Sequence, residues 1–352
     1  MSADDAPTWV AAVTTGLVGL VALVVTDALV LDEPTPQGDD LIYERMAEDP
    51  SGTHTFPFAF RVAVPWLVHV LPFGHEASFS ILAWLCSAAA GAFLFLVMER
   101  LGVPRRLSLP LGVLFVFAPT LLIASLRQGR NPDPMTALIM AMGAWCIVSH
   151  RPRALAAVML VGAFNRESAL ILGPWAYAYW AQRLVDVRML KAAVLATAPA
   201  LVAYVALRMA IPTVGREQVL GYDSLIGGRL DVLERGFDEL LPNLRRIAYV
   251  AGPLWLAWLL ALRDSRYARS GLVVLAFCGV SATFAGDWGR VAFIAAPVVW
   301  AAGAVVLARY RRLWPWALAL LLATNVGYAV YMDRSGVRTG IIELGPPPYP
   351  VQ

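Results

Sequence analysis

The chain has 352 residues, of which 59% are hydrophobic and only 15% are charged, and its formal net charge is +3. Soluble domains carry roughly 25% charged residues, so this composition excludes an ordinary soluble protein and indicates a polytopic membrane protein. The small net charge gives no reason to expect nucleic acid as a partner. Cys86, Cys146 and Cys278 lie inside apolar runs without a Cys-x-x-Cys motif, so neither a zinc site nor a disulfide framework is predicted.

Several apolar runs have the length of membrane spans. In chain order they are Trp9–Leu31, Ser78–Met98, Leu107–Ser125, Pro134–Ser149, Leu190–Ile211, Ile247–Leu262, Gly271–Gly286, Val291–Ala308 and Leu313–Met332. A further run is interrupted by FNRES (Phe164–Ser168) and is predicted to form two short spans, Arg153–Ala163 and Ala169–Gln182. The first span follows an acidic N-terminus and is too long for a cleaved signal peptide. The sequence therefore predicts an all-α, polytopic integral membrane protein with about eleven transmembrane helices in a single domain, 1–352.

The segment Phe56–Phe73 contains one arginine, one histidine and three prolines. The positive-inside rule indicates whether this segment crosses the membrane. If it does not cross the membrane, all the arginine-rich short loops fall on one side, with 14 Lys or Arg and five acids. The opposite side then carries 14 basic and 20 acidic residues. This bias predicts a bacterial-type plasma-membrane protein with a cytoplasmic N-terminus, an external C-terminus and Phe56–Phe73 along the outer interface.

Three outer segments follow from this topology. Residues 32–77 form a first outer loop with interfacial helices. Residues 212–246 form an outer amphipathic loop, because apolar residues recur there at helical spacing; they are Leu230, Leu233, Phe237, Leu240 and Leu241. Residues 333–352 form an external Pro-rich tail.

The unusual polar side chains converge on this outer face. They are Asp39, Asp40, Tyr43, Glu44, His54, Arg61, Arg127, Arg130, Asn131, Asp133, Asn165, Arg166, Glu167, Asp287 and Arg290. Ionisable groups near the membrane core are costly and are functional candidates by default. Arginines at headgroup depth suit a lipid phosphate, because the guanidinium fork pairs two phosphate oxygens. A nearby carboxylate can accept a proton from an attacking hydroxyl.

Each candidate also has a structural interpretation. Asp39 or Asp40 can cap an interfacial helix, and Arg61 can extend to lipid headgroups. Arg166 can pair with Glu167 at a tight helix turn. Asp287 and Arg290, three residues apart, can pair with each other. Asp133, between two prolines, is typical of a helix start.

The stretch GDDLIYERMAEDP (Gly38–Pro50) resembles the first outer loop of the GT-C superfamily, polytopic glycosyltransferases that use polyprenyl-phosphate-linked sugars. Asp39, Tyr43, Met46 and Ala47 match the pattern. The segment Phe56–Val68 resembles the interfacial element with its Arg-x-x-x-Pro core, and FNRES resembles a short polar Lys/Arg-Glu-Ser/Thr element. GDWGR followed by Pro297 resembles an Asp-x-x-Arg before a late span.

The resemblance implies an inverting transfer of a sugar from a polyprenyl-phosphate donor to an acceptor hydroxyl on the outer face. Asp39, with Asp40 as second choice, would be the base. Arg61, Arg166 and Arg290 would bind the donor phosphate. Tyr43, Glu44, His54, Asn165, Glu167 and Asp287 would contact substrate.

The partners implied are the lipid-linked sugar and membrane lipids, with the sugar and the acceptor not specified. The chain lacks the soluble outer domain of larger members, which favours a small or lipid-like acceptor, or a partner protein. Some members use a divalent metal such as Mg²⁺ or Mn²⁺ and others do not; the sequence shows no ligand set for one and no other cofactor is expected.

Two other classes of function use similar residues. A transporter or flippase of a lipid-linked sugar would also need phosphate-binding arginines, with ionisable residues near the midplane. Apart from FNRES and Arg208 near the end of a span, the middle of the predicted spans carries no charged side chains. This argues against an ion-coupled carrier. A non-catalytic subunit of a membrane assembly would tolerate substitution of the outer acids.

Overall fold

The structure is a computed structural model that describes residues 7–30, 39–126, 130–214, 233–234, 236–283 and 288–334. Its described part is almost entirely helical, which confirms the predicted all-α class. The first ten helices are α1 (Thr8–Val30), α2 (Asp39–Glu48), α3 (Ala63–Val70), α4 (His75–Arg100), α5 (Arg105–Val116), α6 (Pro119–Leu126), α7 (Asp133–Val148), α8 (Pro152–Asn165), α9 (Leu172–Trp180) and α10 (Val187–Ala210). They are followed by α11 (Leu240–Ala251), α12 (Leu254–Ala261), α13 (Arg266–Ser270), α14 (Leu272–Ala282), α15 (Trp288–Ala292), α16 (Ala296–Ala308) and α17 (Trp314–Arg334). Short 3₁₀ turns cover Phe58–Phe60, Glu167–Ile171, Phe293–Ala295 and Arg311–Leu313.

Several of these helices are long and apolar enough to span a membrane, which indicates a membrane protein. Within the described ranges four helical segments qualify: Thr8–Ala28, His75–Arg100, Val187–Ala210 and Trp288–Ala308. The bent pair α5 and α6 raises the number to five if it is counted as one span. The predicted count of about eleven spans is therefore not confirmed. Helices such as α7 and α8 are apolar but shorter than a full crossing.

The segment formed by α15 and α16 lies at the centre of the bundle. Within Trp288–Ala308, 83% of the most apolar window is buried, whereas only 17% is buried in α10. The core around α16 includes Trp300, which forms a T-shaped contact with Phe115 of α5 at 5.3 Å between ring centroids. The apolar side chains of α10 mostly face outward, as expected for a helix at the lipid-facing periphery.

Two predicted spans are broken by backbone chemistry. The run Ile247–Leu262 is not one helix: α11 ends at Ala251, Gly252 has φ +50°, and α12 begins after Pro253. A positive φ ends a helix, and proline cannot donate the next backbone hydrogen bond. The run Leu107–Ser125 bends by 47° between α5 and α6, where Pro119 starts the second helix.

The first outer loop contains short helices where interfacial helices were predicted. With eight residues, α3 is about 12 Å long and cannot cross a hydrocarbon core of about 30 Å. Between α2 and α3 lies strand β1 (His54–Thr55), which pairs in parallel with β2 (Thr213–Val214) just after α10. A two-residue pairing over this sequence distance leaves no periodic signal, and the sequence did not predict it.

Part of the predicted outer segments lies outside the described residues. This applies to 32–38 of the first loop, to 215–232 and 235 of the amphipathic loop, and to 335–352 of the tail. The described end of the amphipathic loop leads into α11, which contains Leu240 and Leu241, both exposed.

Helices α4 and α5 approach so closely that they require glycine at their crossing. A Cβ added at Gly91 would lie 2.6 Å from the carbonyl oxygen of Gly112, a backbone atom that cannot rotate away. We expect Gly91→Ala to destabilise the protein by about 1–3 kcal/mol, seen as a lower unfolding temperature in detergent. Gly279, in α14, is the matched control because a Cβ there meets nothing within 4 Å. Gly279→Ala should be neutral or stabilising; equal losses for both variants would contradict the close-crossing argument.

Candidate functional site

A buried carboxylate, Asp133, accepts hydrogen bonds from two arginines. Asp133 is the first residue of α7, and its backbone N–H donates to Oδ1 of Asn131 at 2.8 Å. Nη1 of Arg166 donates to Oδ1 of Asp133, and Nε of Arg290 donates to Oδ2, each at 2.6 Å. The Asp133 side chain is 6% exposed, so these are desolvated charge-assisted contacts. They bring the end of α8 and α15 together at the start of α7.

Asp39 joins the same arrangement from the first outer loop. Nη1 of Arg290 donates to Oδ2 of Asp39 at 3.2 Å, so this arginine bridges two carboxylates. Asp39 and Arg290 are 251 positions apart in the chain. Asp40, the next residue of α2, is buried, whereas the Asp39 side chain is 21% exposed. The two acids of this helix therefore have different surroundings.

Arg61 forms the second centre of the cluster. It is buried, and its Nη1 donates to the hydroxyl oxygen of Tyr43 at 3.0 Å while Nη2 contacts Oε1 of Glu167 at 3.3 Å. Burial raises the pKa of Tyr43 to about 12, against the opposing effect of Arg61, so the phenol stays neutral. Tyr43 thus links α2 to Arg61, which in turn contacts Glu167 at the break after α8.

The FNRES break is a helix end stabilised by side chains. Arg166 adopts extended dihedrals, φ −164° and ψ 142°, which stop α8 at Asn165, and a 3₁₀ turn follows from Glu167. Asn165 is fully buried; its Nδ2 donates to Oγ1 of Thr136 at 2.9 Å and to the Pro132 carbonyl at 3.3 Å. These bonds fix the break against the start of α7, directly beside Asp133.

The three predicted phosphate-binding arginines therefore gather around acids from distant parts of the sequence. Arg166 forms its ion pair with Asp133, and across the described ranges none is formed with Glu167. Glu44 pairs with Arg130 at 3.0 Å, and Arg130 also reaches Glu76 at 3.7 Å. The candidate Asp287 lies outside the described residues, and with it the predicted pairing to Arg290.

His54 is held differently. Its Nε2 lies 2.8 Å from the carbonyl oxygen of Asp49, and its backbone belongs to β1. Within the part of the chain that the structure describes, no hydrogen bond links His54 to the arginine cluster. The structure thus shows a local loop contact for this predicted substrate-binding residue.

Two residues, Asp133 and Arg208, make contacts at the site that the sequence did not predict. Asp133 was interpreted as a helix start; it is one, but it also binds Arg166 and Arg290, whose positions lie 33 and 157 residues away. The sequence distinguishes Arg208 only by its place near the end of a predicted span. Its Cζ lies over the rings of Phe60 and Tyr204, at 4.5 Å and 4.3 Å from their centroids. The sequence signal for Asp133 was an acid at headgroup depth in NPDP.

Glu167 is expected to make the stability of the fold depend on pH in the acid range. Burial alone would raise the pKa of its carboxyl, but Arg61 and Arg166 lower it to about 2, from an ordinary value of 4.5. A lowered folded-state pKa stabilises the fold above the unfolded-state value, and this contribution is lost as the pH falls from about 4.5 towards 2. Glu167→Gln should therefore flatten the fall of unfolding temperature between pH 5 and pH 3, roughly the range of this loss. Glu76→Gln, at an exposed acid, serves as control; identical profiles for wild type and Glu167→Gln would refute the linkage.

Some buried polar atoms at the cluster have no hydrogen-bond partner among the described residues. They include Nε of Arg61, Oδ1 of Asn165 and Oγ of Ser168. Buried polar groups are normally satisfied, so such atoms mark places for water or ligand groups. In the described ranges, no three His, Cys, Asp or Glu side chains are grouped to hold a metal ion.

The fold and the site define an α-helical membrane protein with an ion-pair cluster built from α2, Arg61, α7, the break after α8, and α15. No known protein-family model matches the chain. No protein of curated function matches it either.

Proposed function

We propose that this protein is a GT-C-type membrane glycosyltransferase that transfers a sugar from a polyprenyl-phosphate donor to an acceptor hydroxyl at the outer face of the plasma membrane. The observation that carries the proposal is the gathering of Arg61, Arg166 and Arg290 around the acids Asp39, Asp133 and Glu167. The match of Asp39 and Tyr43 to the first-loop pattern of that superfamily supports it further.

In the proposed reaction Asp39 is the general base. Its Oδ2 accepts from Arg290, while Oδ1 accepts no hydrogen bond from any described residue. Oδ1 takes the proton of the acceptor hydroxyl as the acceptor oxygen forms a bond to the anomeric carbon. The bond from that carbon to the phosphate oxygen breaks, and its electron pair leaves with the lipid phosphate. The sugar is transferred with inversion.

The arginines would stabilise the charge that develops on the leaving phosphate. A guanidinium has five N–H donors in a planar fork. In the described structure Arg166 uses only Nη1, towards Asp133, and Arg61 has a buried Nε without an acceptor. Donors therefore remain for phosphate oxygens even though both side chains are already paired.

The proposal includes an orientation in the membrane. The N-terminus and the arginine-rich short loops are placed in the cytoplasm, and α2, α3 and the break after α8 at the outer face, because of the charge bias of the loops. The lipid donor would then reach Asp39 sideways from the outer leaflet, and the acceptor would arrive from outside.

The test is turnover by the purified full chain in liposomes supplied with polyprenyl-phosphate sugars and candidate small or lipid-like acceptors. The expected result is release of free polyprenyl phosphate that depends on an acceptor, with a glycosylated acceptor of inverted configuration detected by mass spectrometry and NMR. Lipid co-purifying with the protein should contain polyprenyl phosphate. Enrichment of a lipid-linked sugar across the membrane without bond cleavage would instead establish a flippase.

A further inference from the structure

In the part of the cluster that the structure describes, the ion pairs join equal numbers of positive and negative side chains. Three cations, Arg61, Arg166 and Arg290, are paired with three carboxylates, Asp39, Asp133 and Glu167. Such a group offers directional N–H donors but little net attraction for an anion, because each positive charge already has a counter-ion. The N–H donors of this group can bind phosphate oxygens, but a nearby cation without a counter-ion would attract a lipid phosphate more strongly.

Arg208 is such a cation. It lies in the last turn of α10, and in the described parts of the chain no carboxylate is within 4.0 Å of it and no acceptor binds its Nε, which is buried. It is near the cluster, because it contributes to lowering the pKa of Glu167 and stacks on Phe60, the neighbour of Arg61 in the chain. Its guanidinium is thus a positive charge beside a charge-balanced site.

The two aromatic rings fix the orientation of this charge. Cζ of Arg208 lies 4.5 Å from the centroid of Phe60 and 4.3 Å from that of Tyr204. An aromatic ring beside a guanidinium attracts it without using its N–H groups, so these remain as donors for an anion. A planar fork held in this way matches two oxygens of a phosphate group.

The position of Arg208 identifies the source of the phosphate as a lipid. It lies two residues before the end of α10, a helix long enough to span the membrane with only 17% of its apolar window buried. Val205 and Met209, on the same turns, are 47% and 84% exposed. The charge therefore lies at the end of an apolar, outward-facing surface, where an acyl or prenyl chain can pack beneath a headgroup.

We propose that Arg208, in contact with the rings of Phe60 and Tyr204, binds the phosphate group of a membrane lipid and directs it towards the cluster at Arg61. The proposal rests on the function proposed above in taking polyprenyl phosphate as the preferred lipid. Arg208 is then a further phosphate-binding residue, which the first-loop motif does not include.

Binding to the full chain in phosphatidylcholine nanodiscs tests this, with native mass spectrometry as the readout. The probes are polyprenyl phosphate, the corresponding polyprenol, phosphatidylglycerol and inorganic phosphate. Arg208→Gln should weaken polyprenyl phosphate binding roughly 10- to 100-fold, the expected cost of losing charge-assisted hydrogen bonds. Polyprenol binding should not change. Arg208→Lys should retain part of the affinity, because it keeps the charge but not the fork.

The controls separate phosphate binding from a structural role. Arg246→Gln removes an arginine of the predicted amphipathic loop that already has a counter-ion, Glu239, and it should leave the binding of polyprenyl phosphate unchanged. Equal binding losses in Arg208→Gln and Arg208→Lys, or equal losses for polyprenol and its phosphate, would overturn the inference in favour of a stacked structural residue. Phe60→Leu keeps the charge and should lower affinity less than Arg208→Gln; the reverse order would also count against it.

The same experiment distinguishes a failure of the role proposed for Arg208 from a failure of the proposed transferase function. If the wild type binds polyprenyl phosphate and Arg208→Gln does so equally well, the role of Arg208 fails and the transferase proposal stands. If the wild type prefers phosphatidylglycerol and loses it in Arg208→Gln, the lipid-phosphate role stands and the polyprenyl donor fails. Competition by inorganic phosphate at the same strength as the lipid would overturn the lipid assignment.

Discussion

Replacing Asp39 with asparagine is expected to reduce turnover of the proposed sugar transfer roughly 10²- to 10⁴-fold, the usual cost of losing a general base. Asparagine has the same shape and its carbonyl can still accept from Arg290, which now binds Oδ2 of Asp39 at 3.2 Å. Because the Asp39 side chain is partly exposed, the fold should survive the change. The measurement is release of polyprenyl phosphate by purified variant and wild type, with donor binding determined in parallel.

Asp40→Asn is the matched companion to Asp39→Asn. Adjacent residues of a helix point about 100° apart, so we expect only one of the two acids to face the donor. Asp40 is buried and Asp39 is the residue paired with Arg290, so Asp40→Asn should affect stability more than turnover. Normal activity of Asp39→Asn with an inactive Asp40→Asn would shift the base by one residue. Normal activity of both would favour a non-catalytic subunit.

Asp133→Asn should be the most destabilising single change in the site. The substitution removes the negative charge shared by Arg166 and Arg290, and leaves two largely buried guanidinium groups without it. Removing one partner of a buried ion pair costs about 3–5 kcal/mol. We expect a large fall in the unfolding temperature of the detergent-solubilised protein, measured by scanning fluorimetry, accompanied by loss of activity.

Asp264 provides the control for the Asp133 experiment. It also pairs with an arginine at 2.6 Å, but both side chains of the Asp264–Arg309 pair are about half exposed. Exposed ion pairs contribute little to stability, so Asp264→Asn should leave the unfolding temperature nearly unchanged. Equal effects of Asp133→Asn and Asp264→Asn would show that burial of the Asp133 contacts does not stabilise the protein.

The sequence predicted those features of the fold that depend on local composition. The apolar runs Ser78–Met98 and Leu190–Ile211 correspond to α4 and α10, and the polar FNRES break separates α8 from α9 as expected. Hydrophobic length was a poorer guide where the backbone is interrupted. Gly252 and Pro253 divide one predicted span into two helices, because φ at Gly252 and the missing N–H of proline override the apolar pattern.

The site was predictable in its residue types but not in its pairings. Ionisable groups at headgroup depth are rare in an apolar chain, which makes Arg61, Arg166 and Arg290 candidates for a functional site. Their partners depend on contacts over 33 to 251 residues, which no periodicity encodes. Thus the local pairing of Arg166 with Glu167 was a reasonable alternative, yet Asp133 is the acid within 4.0 Å of Arg166. The stacking of Arg208 on Phe60 was invisible for the same reason.

The parallel pairing of β1 with β2 links His54 and Thr55 to Thr213 and Val214, and the Phe56 N–H donates to the Val214 carbonyl at 3.0 Å. Together with the Phe60–Arg208 contact, these bonds connect the end of α10 to the middle of the first outer loop, so we expect the two segments to move together. A change in the tilt of α10 would therefore displace Arg61. Through the hydrogen bond from Arg61 to Tyr43, it would also displace α2. Because tilting is one way in which a spanning helix adapts to membrane thickness, we expect the distance between Asp39 and Arg290 to respond to the thickness of the bilayer.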